Sequence, residues 1–98
     1  MDDLQKKISD WQDATFPSAT IDSMFRHMIS ELKELSEKLD DPHAAAEELA
    51  DMQHLLFGIA SKMGFSLHDI TNKKFKINKK RSWGPQNEQG FIEHMEGR

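Results

Sequence analysis

At 98 residues, with 37% hydrophobic and 31% charged side chains and a mean hydropathy of -0.72, the chain makes one small domain with a modest core, of the kind often completed by association. Its formal net charge of -4 argues against a general nucleic-acid binder, which needs Lys and Arg against phosphate. Absence of Cys excludes a disulfide framework, a thiolate zinc site and a Cys nucleophile, and the lack of any signal-peptide or membrane-span run leads to the expectation of a soluble cytoplasmic protein.

From the N-terminus, Leu4, Ile8 and Trp11 are spaced as the apolar face of a short helix over Asp2 to Asp13, which Phe16-Pro17-Ser18 breaks. Ser18 or Thr20 can cap the next helix. Ile21, Met24, Phe25, Met28, Ile29, Leu32, Leu35 and Leu39 recur at three and four, predicting a helix over 20–39 that Asp40-Asp41-Pro42 stops. Pro42 suits the first turn of a third helix, Pro42 to Met63, with Ala45, Leu49, Met52, Leu55, Leu56, Ile59 and Met63 on one side and Gly64 at its end. Ser66 and Asp69 resemble a capping box opening a fourth, Leu67 to Lys80. From Trp83 onward the turn-forming residues predict an irregular tail, 82–98. The expected architecture is all-α: residues 1–19 as entry helix and loop, and 20–81 as the working helices. The helices over 20–39 and 42–63 pair antiparallel and complete a four-helix core by dimerisation.

Helical phase sets which charges face inward. At about 100° per residue, Glu48 lies on the stripe of Ala45, Met52, Leu55 and Ile59, where an unpaired carboxylate is costly, and Asp51 flanks it. Glu47 and His54 fall on the far side. On the preceding helix His27, Glu31, Glu34 and Lys38 border the apolar face, and on the last helix Lys74, Asn78 and Arg81 share the face of Leu67 and Ile70. The plain account is that these acids and bases pair with one another. Four converging carboxylates, however, need more positive charge than one Lys and one Arg supply, and Mg²⁺ supplies it compactly, with Mn²⁺ as a substitute. Lys74 and Arg81 are then left for phosphates.

Glu31-Leu-Lys-Glu34, thirteen residues, and then Glu48-Leu-Ala-Asp51 resembles the split acidic motif of the MazG-like all-α nucleoside triphosphate pyrophosphohydrolases. The run Lys74-Phe-Lys-Ile-Asn78-Lys-Lys-Arg81-Ser-Trp83 is similar to their Lys/Asn/Arg segment before an aromatic residue. His27 and the stretch from Trp11 to Pro17 look like their entry region, and Gly90-Phe-Ile-Glu-His94 resembles, more loosely, a subgroup assigned to dATP and dGTP and often carried by phages. The resemblance implies hydrolysis of a nucleoside triphosphate between its α and β phosphates to the monophosphate and pyrophosphate. It implies Glu31, Glu34, Glu48 and Asp51 as ligands of two or more Mg²⁺ ions, and Lys74, Asn78 and Arg81 as holders of the β and γ phosphates. Of the carboxylates, Glu34, furthest from the apolar axis and nearest the opening, is the choice for the base that takes the water's proton. Purine preference rests on the tail, and a phage-encoded protein would act in its host's cytoplasm.

Trp11, Phe16, His27 and Trp83 are the side chains able to stack on a base, although the core is the ordinary place for Trp11 and Phe16. Met24, Phe25, Met28, Met52 and Met63 are expected in the core. Two other classes fit parts of the pattern. Asp51-Met-Gln-His54 is a loose Glu-x-x-His element of a di-iron carboxylate bundle, and the acidic and basic faces suit a non-enzymatic helical interaction module. The expected partners are a nucleoside triphosphate and a second copy of the chain, in a homodimer or homotetramer, without nucleic acid or membrane.

Overall fold

Thr20, Asp41 and Ser66 each stand in extended backbone just before a helix and accept a hydrogen bond from the amide three residues on, so each supplies a missing partner at a helix start. In the computed structural model these caps separate α1 (Asp3–Thr15), α2 (Ile21–Ser36), α3 (Pro42–Met63) and α4 (Leu67–Lys80). The structure describes residues 3–81, side chains included, and the backbone of 83–86 and 92–94. The bounds of α3 and α4 are those expected. Gly64 closes α3 with φ of 85°, a left-handed conformation that favours glycine.

The all-α architecture stands for the four helices, but the C-terminal part is not wholly irregular. β1 (Trp83–Gln86) pairs antiparallel with β2 (Ile92–His94), Trp83 opposite His94 and Gln86 opposite Ile92. Gly84, Pro85 and the glycine beyond them read as turn signals, and a ladder this short carries too few residues to show alternation.

α2 and α3 run antiparallel: Met24 near the start of α2 packs at Gly58 near the end of α3, while Lys38, just beyond α2, reaches Glu48 near the start of α3. α2 ends at Ser36 rather than at 39, because the chain tightens into turns in which the Lys38 amide bonds the Leu35 carbonyl and the Asp41 amide bonds the Lys38 carbonyl. That early exit releases Lys38 from the helix and turns its side chain toward α3.

α1 packs on α3 through a face opposite in character to the one expected. Gln5, Ser9 and Gln12 are buried, whereas Leu4 and Trp11 are more than half exposed. Gln5, with no exposed surface, donates to Ser61 Oγ at 2.9 Å and the Phe65 carbonyl at 2.8 Å, and accepts from the Leu67 amide at 2.7 Å, tying α1 to the α3–α4 turn. Gln12 Nε2 donates to the His54 carbonyl at 2.9 Å. Polar side chains are tolerated inside when their hydrogen bonds are met, and hydrophobic spacing is blind to such a face.

Met24, Leu55, Phe57 and Ala60 form the buried apolar core. Met24 is where it was expected; Phe57 and Ala60 lie on a second side of α3 that the single apolar stripe did not include. Phe25 and Met63, expected in the core, are exposed, as are Ile29, Leu32 and Leu49. The radius of gyration, 16.0 Å, exceeds the roughly 13 Å of a compact 100-residue domain, in keeping with helices that leave apolar faces uncovered. Among the described residues no helix is long and apolar enough to cross a membrane.

Candidate active site

Glu48 is 6% exposed, so the inward position read from its phase is its position in the fold. Across the α2–α3 seam stands Glu31, also buried, with the exposed Glu34 one turn further along α2. Each of the three offers a carboxylate oxygen, and these oxygens lie within 4.8 Å of one another. Glu31 Oε2 and Glu48 Oε2 are buried without a hydrogen-bond partner. Buried acceptors left unpartnered on hard oxygen donors are what a divalent cation of the Mg²⁺ or Mn²⁺ type would satisfy, so the residues present fit such an ion.

The outer oxygens are already engaged. His27 Nε2 lies 3.0 Å from Glu31 Oε1, and Lys38 Nζ donates to Glu48 Oε1 at 2.6 Å. These contacts shape the charge of the site. Glu31 is held above the usual carboxylate range, first by the adjoining Glu48 carboxylate, then by burial and by repulsion from Glu34. Glu48 is held below that range by the adjoining Glu31, which takes up a proton first, and by the hydrogen bond it accepts from Lys38. Lys38 is raised in turn, chiefly by its bond to Glu48.

Asp51 is exposed and outside the trio. It lines a cavity of about 450 Å³ that opens beside Glu31 and continues between α1, α2 and α3 to Trp11, Phe16 and His27, with Gln12, Met24, His54 and Leu55 also in its wall. Trp11 and Phe16 meet edge to face, ring centroids 5.5 Å apart and 89° between planes. They are 56% and 53% exposed, hence wall residues of the cavity and not core. The volume is within the ordinary range of small-ligand pockets. Carboxylates thus occupy one end of a cleft and aromatic faces the other.

Lys74 and Asn78 do not join this cleft within one chain. They line a separate groove of about 630 Å³ with Leu67, Ile70, Thr71, Lys73, Phe75 and Ile77, all on α4, which packs on α3 and buries none of its own residues. Arg81 is the residue after α4, its amide bonded to the Asn78 carbonyl. The Trp83 side chain and residues 90–91 of the tail motif lie outside the described residues. His54 contributes its carbonyl to Gln12 and lines the cleft, and among the described residues of one chain it is not grouped with the carboxylate trio. Gln12 and Lys38 are among the cleft and site residues that sequence reasoning did not single out, and His54, placed on the far side by helical phase, lines the cleft as well. Lys38 was visible only as a member of the His27, Glu31, Glu34 stripe.

Comparison with known proteins agrees with this geometry. A profile of the dATP/dGTP pyrophosphohydrolase family matches residues 4–97. A dATP/dGTP diphosphohydrolase of Salmonella phage PMBT28 is 36% identical over 93 residues, which are 95% of this chain and 31% of that protein, so the chain spans about a third of the length of its curated relative. A MazG-like pyrophosphohydrolase of cyanophage S-2L, solved with dGDP and three catalytic Mn²⁺ ions per active site, superposes with a TM-score of 0.79 at 26% identity, covering 95% of this chain and 94% of the other. With the acidic motif, the helical fold and the profile match all in agreement, the chain belongs to the dATP/dGTP pyrophosphohydrolase family.

Proposed function

We propose that this chain hydrolyses a purine deoxynucleoside triphosphate, dATP or dGTP, to the monophosphate and pyrophosphate. The observation that carries the reading is the continuity of one cleft from Glu31, within the carboxylate trio, to the Trp11–Phe16 aromatic pair. A nucleotide laid along it has its phosphates at the acids and its base against the rings.

In this reading Glu31, Glu34, Glu48 and Asp51 hold Mg²⁺, or Mn²⁺ in its place. When bound, the ions polarise the α-phosphate and lower the pKa of the attacking water. Water adds its oxygen to the α phosphorus while the bond from that phosphorus to the bridging oxygen breaks, and pyrophosphate leaves with the bridging oxygen. Glu34, the exposed member of the trio, takes the water's proton. His27 fixes the orientation of Glu31 from one turn away. Trp11 and Phe16 stack on the base, and Trp83 supplies a further aromatic surface.

Lys74, Asn78 and Arg81 hold the β and γ phosphates and offset charge on the leaving pyrophosphate. The α4 groove lined by Lys74 and Asn78 is separate from the cleft of the same chain, which supports a contribution from a second copy. The uncovered apolar residues Phe25, Ile29 and Leu32 of α2 and Leu49 of α3 support a homodimer or homotetramer built on that face. The phage origin of the relative supports the cytoplasm as the place of work, that of the host for a phage protein.

The test is pyrophosphate release with Mg²⁺ across the eight common ribo- and deoxyribonucleoside triphosphates, with nucleotide products separated. Monophosphate plus pyrophosphate, fastest with dATP or dGTP, is the expected result. Diphosphate plus inorganic phosphate, or no turnover with Mg²⁺ or Mn²⁺, contradicts it.

A further inference from the structure

Lys38 occupies an unusual place. Its ammonium donates to Glu48 Oε1 at 2.6 Å, on a carboxylate that is itself buried, while 41% of the Lys38 side chain remains in solvent. The residue comes from the tight turn that ends α2 early, so its aim at α3 is built into the backbone. With three carboxylates drawn within 4.8 Å, like-charge repulsion opposes the metal-free fold, and Lys38 supplies the counter-charge at Glu48.

That same contact conflicts with full use of the site. Glu48 Oε2 is buried and unpartnered, whereas Oε1 carries the lysine. A carboxylate that chelates one ion or bridges two uses both oxygens, so with Lys38 in place Glu48 offers one of its two. We propose that Lys38 is an internal counter-ion of the metal-free site which divalent cations must displace from Glu48 Oε1, so that loading is stepwise and the later step is weakened by the lysine. The Glu48 contact is the ion pair that holds the Lys38 ammonium, and its partly solvated stem lets the head swing outward without repacking of the core. The inference rests on the metal reading above and adds a competitor to it.

The experiment is Mn²⁺ binding without nucleotide, by calorimetry and by loss of the free-ion paramagnetic resonance signal, on the wild-type chain, Lys38→Met and Lys38→Arg. Lys38→Met, which keeps the apolar stem and removes the charge, is expected to tighten the weaker binding step roughly threefold or more, the scale of a partly exposed ion pair. It is also expected to lower the metal-free Tm and so widen the rise in Tm on adding Mn²⁺. Lys38→Arg keeps the weak step. Wild-type binding with Lys38→Met equal or weaker overturns the counter-ion role while leaving the metal site standing. Absence of Mn²⁺ uptake by the wild-type chain overturns both.

Discussion

Gln12 Oε1 lies where a side chain on Gly58 would begin: a Cβ built at Gly58 meets that oxygen and the Met24 methyl, with Gln12 Cδ at 3.2 Å. The absence of a side chain at this point lets α1 and α2 both close on α3 and form the cleft between them. The Met24 methyl can rotate aside, but Gln12 is anchored to the His54 carbonyl and cannot.

Gly58→Ala therefore sets two effects against each other. Alanine within a helix gains about 1 kcal/mol over glycine, whereas overpacking costs about 1–3 kcal/mol. With the anchored amide in the way, the cost is expected to win by about 1 kcal/mol, seen as a fall in Tm of about 4–8 °C. A raised Tm in thermal unfolding would show that α1 gives way freely.

Glu31→Gln tests the electrostatics of the metal-free site. Because the folded pKa of Glu31 is raised, its contribution to stability is full below its usual value near 4.5 and is lost as pH rises through the folded value. Glutamine stays neutral at every pH and can still donate to Glu48. The variant is expected to be more stable than wild type at neutral pH without metal, by a few degrees, with the gain vanishing below pH 4.5. Chemical unfolding at several pH values in the presence of a chelator measures this; a gain that grows toward acid would reverse the assignment.

How far the fold was legible in the sequence depends on what kind of signal marks each element. α3 is bracketed by Asp41-Pro42 and Gly64, and its bounds follow from cap chemistry. Glu48 could be placed inward because a charge out of phase with its neighbours is visible on a helical projection. The buried face of α1 was not legible, since Gln5, Ser9 and Gln12 pack through hydrogen bonds that no hydrophobic period reports. Lys38 was hidden for another reason: its role depends on α2 stopping three residues early, and Leu39 continues the apolar period past that point. Whether Lys74 and Asn78 meet the acids of their own chain is a question of tertiary placement that spacing along α4 does not address.

Trp11→Ala should separate base binding from chemistry. Stacking of a base on an aromatic side chain is worth about 1–3 kcal/mol, so KM is expected to rise roughly 5- to 150-fold with kcat little changed. Trp11→Phe should recover part of the loss. Equal falls in kcat and kcat/KM, read from steady-state kinetics, would instead put Trp11 in contact with the reacting end.

Phe25→Glu probes the uncovered face of α2. Phe25 is about half exposed in the single chain and outside the cleft, so a charge there leaves the helices intact but opposes burial against a second copy. Sedimentation is expected to show the variant as a monomer with unchanged helicity. An oligomer of wild-type size would move the association surface elsewhere.

The most direct measurement is turnover of dATP and dGTP by Glu48→Gln, with far-ultraviolet circular dichroism on the same sample. Glutamine keeps the shape and one acceptor of Glu48 but removes the charge that holds a cation in the interior. Expected is loss of activity by about three orders of magnitude or more with helicity retained, in line with a group whose charge acts in the chemical step. A Glu48→Gln protein that still released pyrophosphate at a rate near wild type would contradict the assignment of the carboxylate trio as the catalytic centre.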